Sequence, residues 1–235
     1  MTADREMDGT IVSIQVGKAV PFGPERQLSA IDKHSVEGPV SVGSTGLAGD
    51  EQGDPRHHGG VEMAVHQYPL EHYDAWKTEV PALEEKLESP GAFGENLSTR
   101  GMTETSVCIG DIYQVGSAVF QVSQGRQPCW KLNVRFGVGD MAKRVQTTAR
   151  TGWYYRVLSP GAVTAGDGFS LVERPRPEWS VSKVLHVLYV DRLNLGLLKE
   201  MAALEELSPS WRQLARNRLE KEEVEGFGGR LSPPH

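Results

Sequence analysis

The sequence has 235 residues, with 25 Lys or Arg against 31 Asp or Glu. The resulting net charge of −6 and the lack of a dense Lys/Arg run argue against binding to duplex nucleic acid. Hydrophobic residues make up 38% of the chain, which permits a sizeable core and excludes a collagen-like or wholly disordered chain. No stretch approaches the ~18 consecutive apolar residues of a membrane span, and the polar start of the chain lacks the apolar run of a secretory signal, so we expect a cytoplasmic protein with no membrane partner.

The first two-thirds of the chain predict a sheet of short strands. Residues 10–16 alternate apolar and polar side chains with some slippage, which is typical of a strand. Further apolar runs, separated by glycine turns, lie at residues 106–109, 112–115 and 118–123, and a return strand lies at residues 169–172. Strands this short and closely spaced favour a closed or strongly bent mixed sheet over a layered βαβ fold.

Helical periodicity interrupts these strands twice. Residues 69–88 carry Tyr73, Trp76 and Leu83 at helical spacings, and residues 141–145 form a shorter candidate. Neither segment has the period-two alternation of a strand, so we expect two helices inserted between strands.

The composition changes after the last predicted strand. Prolines and charges at residues 174–178 indicate a linker. Beyond it, Ser180 can cap a first helix, residues 193–204 carry a second helical pattern, and the Ser-Pro pair at 208–209 marks the start of a third. The three helices predict a small satellite domain, and we expect the Gly/Pro-rich residues 226–235 to fray.

The two cysteines, Cys108 and Cys129, have different surroundings. They are too few for a disulfide scaffold, and no CxxC pair or Cys/His cluster with metal-ligand spacing occurs. Cys129 lies in a loop between Arg126 and Lys131, and nearby cations lower the pKa of a thiol and favour the reactive thiolate. A buried, inert Cys129 fits the spacing equally well. Cys108 lies in an apolar run without a basic neighbour, so we interpret it as a packing residue.

Three further segments carry residue types that bind anions or transfer protons. His58 precedes Gly59 and Gly60, whose backbones can approach a ligand closely and offer N–H groups to an anion. An ordinary polar turn explains the same residues. Asn96 ends a Phe-Gly-Glu-Asn segment that a side-chain-stabilised turn also explains, and Lys33 has a solvated surface charge as its alternative interpretation.

In chain order, these segments form a series that is more specific than any one of them. The series is Leu-Ala-Gly-Asp-Glu-Gln at 47–52, His-Gly-Gly at 58–60, Tyr-Pro-Leu-Glu-His-Tyr at 68–73, Phe-Gly-Glu-Asn-Leu-Ser-Thr at 93–99, Gly-Asp-Ile at 110–112, Gln-Val-Ser-Gln at 121–124 and Pro-Cys at 128–129. It resembles the MOSC domain, and more closely the bacterial YiiM type, the 6-N-hydroxylaminopurine resistance family, over about residues 25–220. The resemblance implies an α+β fold, with a MOSC β-barrel-like domain at residues 1–173 and a C-terminal three-helix domain at residues 178–225.

The resemblance also implies a function. It implies that the chain binds a molybdenum cofactor (molybdopterin), with the pterin phosphate in a basic pocket. It also implies that the single family cysteine, here Cys129, is the metal ligand or sulfur carrier. YiiM-type proteins are implied to be oxidoreductases that reduce N-hydroxylated bases, such as 6-N-hydroxylaminopurine, and related N-hydroxylated compounds, with electrons from a separate reductase.

The family's site residues carry over to positions of this chain. The implied cofactor-binding residues are Lys33, His58, Gly59, Gly60, Asn96, Arg126 and Cys129. Cys129 and His58 are the implied catalytic residues, because a proton donated by His58 to the leaving oxygen would assist N–O cleavage. This chain departs from the family pattern at Gly125, where proline is more common, and at Trp130, where a smaller aromatic is more usual, so both departures concern the shape of the cysteine loop.

Two alternatives to an enzyme of this kind stay open. A non-catalytic module could hold the cofactor or sulfur for another protein, with the helical domain as its docking surface. For those helices a lid on the barrel edge is the competing interpretation. A thiol hydrolase would use Cys129 as nucleophile and His58 as base, within ~3 Å of each other. A homodimer is the hypothesis for assembly.

Overall fold

The computed structural model describes residues 7–24, 26–53 and 59–232. The strands in these ranges are β1 (Met7–Val16), β2 (Val20–Phe22), β3 (Gln27–Ser29), β4 (His34–Val36), β5 (Val40–Gly43), β6 (Gly46–Leu47), β7 (Val65–Pro69), β8 (Leu97–Arg100), β9 (Ile112–Val115), β10 (Ala118–Gly125), β11 (Trp153–Ser159), β12 (Gly161–Val163) and β13 (Gly168–Glu173). The α-helices are α1 (Glu71–Glu79), α2 (Lys131–Phe136), α3 (Met141–Thr148), α4 (Val181–Tyr189), α5 (Leu195–Ala203), α6 (Pro209–Lys221) and α7 (Gly228–Leu231). Across the described ranges, none of the helices combines the length and the apolar character that crossing a bilayer requires.

Seven strands close into a barrel. They hydrogen-bond in the order β13-β9-β10-β11-β7-β8-β1, and β1 pairs back with β13 to complete the ring. The pairing of β7 with β8 is parallel, and the other pairings around the ring are antiparallel. Strand β4 pairs with the end of β1 outside the ring. The α+β, barrel-like fold expected from the sequence is therefore confirmed.

One predicted strand, at residues 106–109, does not form. Its residues make a turn with a single bridge, between Cys108 and Ser180. The amide of Ile109 donates to the carbonyl of Trp179 (2.8 Å), so the backbone bonds to the entry of the helical domain and not to the barrel. The apolar pattern here reflects burial at the junction between the two parts of the chain.

The helix expected at residues 69–88 is shorter than its pattern. α1 ends at Glu79, and two 3-10 turns, Pro81–Leu83 and Glu85–Leu87, complete the segment. Pro81 lacks an amide hydrogen and its ring disfavours the helical conformation of the residue before it, so the helix ends just ahead of it. The buried side chains continue through the 3-10 turns, which explains why the apolar spacing runs on to Leu87.

The barrel and the helical domain share one core. Fully buried Tyr113, Phe120, Tyr155 and Phe169 fill the barrel. The same cluster extends to buried side chains of the helical domain, among them Trp179, Leu185, Leu198 and Trp211. A second core lies under α1, α2 and α3. The helices are thus packed on the barrel by a continuous apolar interior.

The predicted helix starts in the C-terminal domain are largely confirmed. The Ser180 hydroxyl accepts from the amide of Lys183 (3.1 Å) and caps α4. Ser208 precedes α6 and Pro209 is its first residue, as expected, although the Ser208 hydroxyl makes no capping bond. The expected fraying is wrong for residues 228–231, because α7 forms there.

Candidate functional site

One pocket brings together most of the residues singled out in the sequence. It encloses about 640 Å³ of empty space, part of it open to solvent, beside strands β7, β10 and β11. Of the seven predicted site residues, Lys33, Gly59, Asn96, Arg126 and Cys129 line it. Gly60 is exposed beside the lining, and His58 lies outside the described residues.

Arg126 is a buried cation with an unused donor. It follows β10 directly, is 6% exposed, and is fixed by its backbone amide, which donates to the Gly152 carbonyl (3.1 Å). Its Nη1 has no hydrogen-bond partner among the described residues, although the side chain lines the pocket. Leaving a buried charged donor unsatisfied is costly. Because an anionic group in the pocket would satisfy this donor, Arg126 is a candidate anion-binding residue.

Lys33 differs from Arg126 because a carboxylate neutralises it. Its ammonium donates to Asp50, and the two side chains are only 7% and 9% exposed. Burial lowers the pKa of Lys33, and the opposing effect of Asp50 is smaller. The same carboxylate accepts from the amide of Gly17 (2.7 Å) and from the side chain of Asn96 (2.8 Å). Asp50 is therefore the centre of a buried polar network along one wall of the pocket.

Lys131 adds a second positive charge that no described carboxylate balances. It is the first residue of α2, it is buried, and its ammonium donates to the Leu28 carbonyl (3.2 Å). It lines the same pocket as Arg126 and Cys129. The flanking cations that the sequence placed beside Cys129 thus share its pocket.

The Phe-Gly-Glu-Asn segment holds its shape through its glutamate. The fully buried carboxylate of Glu95 accepts four hydrogen bonds, from the amides of Gly91 (2.9 Å) and Phe93 (3.0 Å) and from the hydroxyls of Tyr73 (2.6 Å) and Ser98 (2.8 Å). The adjacent Asn96 accepts from the amide of His66 (3.1 Å) through Oδ1. The segment is a turn stabilised by Glu95 that presents Asn96 to Asp50.

His66 is a pocket residue that the sequence did not single out. Its ring lies against that of Tyr154, with centroids 4.9 Å apart, and Nε2 lies 3.3 Å from the Thr151 carbonyl, within hydrogen-bond distance. Burial, followed by the charge of Arg126, holds the pKa of His66 well below its usual range. The imidazole is therefore neutral near pH 7. No local pattern distinguishes it, since it is one of two adjacent polar residues within the short strand β7.

The two cysteines differ as the sequence indicated. Cys129 is half-buried and lines the pocket immediately before α2. Cys108 is buried at the domain junction, where its thiol donates to the Pro177 carbonyl (3.5 Å). Burial, with Asp111 nearby, raises the pKa of Cys108 and keeps it a thiol. Cys129 thus lines the pocket, whereas Cys108 lies away from it at the domain junction.

Comparisons with known proteins identify the family of the chain. Residues 54–170 match the MOSC domain, and residues 179–222 match the YiiM-like 3-alpha helix domain. Protein YiiM of Escherichia coli (strain K12) is 38% identical over 220 residues, which cover 94% of this chain and 97% of YiiM. A crystal structure of YiiM from Escherichia coli superposes with a TM-score of 0.78 at 34% identity, over 93% of this chain and 99% of that one.

A longer relative also matches. A protein named Reductase from Gibberella moniliformis (strain M3125 / FGSC 7600) is 42% identical over 220 residues, or 93% of this chain. The chain spans only 39% of the length of that protein. The similarity thus covers nearly all of this chain and less than half of that Reductase.

Proposed function

Because the chain belongs to the YiiM family of MOSC-domain proteins, we propose that it binds a molybdenum cofactor (molybdopterin) and reduces N-hydroxylated bases and related N-hydroxylated compounds. The observation that carries the proposal is that Nη1 of buried Arg126, in the same pocket as the thiol of Cys129, has no hydrogen-bond partner in the part of the chain that the structure describes. An unsatisfied cation calls for an anion, and a thiolate is a suitable ligand for a soft metal. A cofactor that combines a phosphate with a chelated metal has both features.

The residues of the pocket fit such a cofactor. Cys129 would be the metal ligand, and Arg126 and Lys131 would bind the phosphate, with the backbone of Gly59 at the same rim. Among the described residues, no group of three or more His, Cys, Asp or Glu side chains is arranged to cage a metal ion. A metal already chelated by its cofactor needs only one protein ligand, which Cys129 would supply.

The reaction consumes two electrons and two protons, and it converts the N-hydroxylamine to an amine and water. The bound cofactor would supply the redox chemistry, with electrons from a separate reductase. His66 is a poor proton source because its lowered pKa leaves the imidazole neutral near pH 7. His58, which lies outside the described residues, stays the proposed proton donor to the leaving oxygen. Tyr154 also lines the pocket, and its aromatic ring would be a stacking partner for a base.

One experiment separates this enzyme from a non-catalytic carrier. Protein produced in cells supplied with molybdate would be analysed for molybdenum and pterin, and then assayed with 6-N-hydroxylaminopurine and a chemical reductant. Bound cofactor with formation of the amine supports the enzyme. Bound cofactor without turnover favours the carrier, and protein that never takes up cofactor contradicts both.

A further inference from the structure

The chain beyond α6 stays attached to the helical domain. Glu222 ends α6 in a left-handed conformation (φ 51°), which turns the chain back on itself. Glu225 then receives two hydrogen bonds from Arg218, one from Nε (2.9 Å) and one from Nη2 (2.7 Å). Arg218 is 1% exposed and also donates to the Leu188 carbonyl (3.1 Å). We call residues 222–232 the C-terminal tail. The beginning of this tail is thus bonded to the interior of the helical domain.

Arg230 connects the tail to the cysteine loop. Its guanidinium lies over the rings of Phe227 and Tyr189, 5.5 and 5.9 Å from their centroids. It donates to the Pro128 carbonyl and to the side chain of Gln146 (2.6 Å). A single side chain therefore joins the tail, α4, α3 and the loop that carries Cys129.

The tail also bonds to the chain on the other side of Cys129. The amide of Trp130 donates to the carbonyl of Arg230 (2.8 Å), and the side-chain amide of Asn133 donates to the carbonyl of Leu231 (2.9 Å). Both neighbours of Cys129 are thus held by the tail, Pro128 through its carbonyl and Trp130 through its amide. The barrel holds this loop farther back, at Arg126.

We propose that the C-terminal tail is a clamp that fixes the Cys129 loop, and that Arg230 is a positioning residue for the thiol. The helical domain then has a role at the site, because it anchors the tail through Arg218 and Tyr189 and so holds Cys129 against the pocket. The inference deepens the proposed function in that it concerns the same thiol. Its test needs neither cofactor nor substrate, so either proposal can fail while the other stands.

The test compares the full chain with four variants, of which Arg230→Lys is the conservative one. Arg230→Ala removes the link to Pro128, and Phe227→Ala removes the ring beneath Arg230 without touching the loop. Arg192→Ala, at an exposed arginine of the helical domain, is the matched control. The measurements are hydrogen exchange of a peptide covering residues 127–134, and the rate of iodoacetamide labelling of Cys129 and of Cys108, read separately by mass spectrometry.

The clamp predicts faster exchange in residues 127–134 and Cys129 labelling at least about threefold faster in Arg230→Ala and Phe227→Ala, because local opening exposes the loop. Labelling of Cys108, which is 4% exposed, should stay unchanged, whereas general destabilisation would accelerate both thiols. Arg230→Lys should recover part of the protection, since an ammonium can still donate to the Pro128 carbonyl. Exchange and Cys129 labelling equal to those of the control in both alanine variants would overturn the proposal, as would parallel acceleration of Cys108. If one alanine variant does not fold, the other and Arg230→Lys decide the outcome.

Discussion

Replacing Arg126 by methionine should separate the stability of the protein from its ability to bind anions. Methionine fills a similar volume without charge, so it removes the buried donor that has no partner among the described residues. Relief of an unsatisfied buried group is worth about 1–3 kcal/mol, while loss of the polar interaction between Arg126 and Tyr154 costs about 1 kcal/mol. The net change in the free energy of unfolding is therefore about 0–2 kcal/mol in favour of the variant.

Thermal unfolding with and without inorganic phosphate measures both effects. At roughly 2–4 °C per kcal/mol for a chain of this size, Arg126→Met should melt about 0–8 °C above the wild type without phosphate. Phosphate at 100 times its dissociation constant should stabilise the wild type by about 2.7 kcal/mol and the variant far less. The exposed substitution Arg192→Met is the control and should change neither value. A phosphate-induced shift as large in Arg126→Met as in the wild type, or a fall of about 5 °C or more without phosphate, would refute the reasoning.

Three further substitutions test other parts of the site. Glu95→Leu leaves four hydrogen-bond donors without their acceptor, so it should lower the free energy of unfolding, measured in urea, by about 3–5 kcal/mol. The control Glu223→Leu, at an exposed position, should lower it by less than about 0.5 kcal/mol. Similar losses in the two variants would contradict the role of Glu95. Cys129→Ser should abolish reduction of 6-N-hydroxylaminopurine by cofactor-loaded protein and leave the circular-dichroism spectrum intact, and full activity would remove the thiolate–metal proposal. His66 has a lowered pKa, so below pH ~6.5 the unfolded chain binds a proton that the folded chain rejects, and stability falls as the pH falls. Urea titrations at several pH values below ~6.5 give the slope of the unfolding free energy against pH. This slope should be smaller in His66→Gln than in the wild type, by up to about 1.4 kcal/mol per pH unit. Equal slopes would show that His66 titrates normally.

The sequence predicts the local elements of the barrel better than their closure. Alternation identifies β1, and glycine turns delimit β9 and β10. The pairing of β1 with β13 joins opposite ends of the barrel domain, and no local pattern records it. The error at residues 106–109 has the same origin, because an apolar run is buried whether it packs inside a sheet or against another domain.

The site shows a similar division. Arg126 and Cys129 are found from the charges next to the thiol, and Lys33 and Asn96 from the family series. Asp50 lies within that series, but its role depends on meeting Lys33 and Asn96 in space. His66 and the tail were missed because the evidence for them is tertiary: one is defined by burial beside Arg126, and the other is a four-residue helix among glycines.

The odd number of strands in the barrel is connected with the origin of the pocket wall that contains Asn96. Directions that alternate around a ring can close only when the count is even, so a ring of seven must contain at least one pair running the same way, and here that pair is β7 with β8. Strands that run the same way cannot be joined by a tight hairpin, and the chain must return along the outside before the second strand begins. The return path in this molecule carries α1 and ends at Glu95 and Asn96. The need for one parallel pair in a seven-stranded barrel thus accounts for the connection whose final turn orients Asp50. A relative with eight strictly alternating strands would need a different segment to orient this carboxylate.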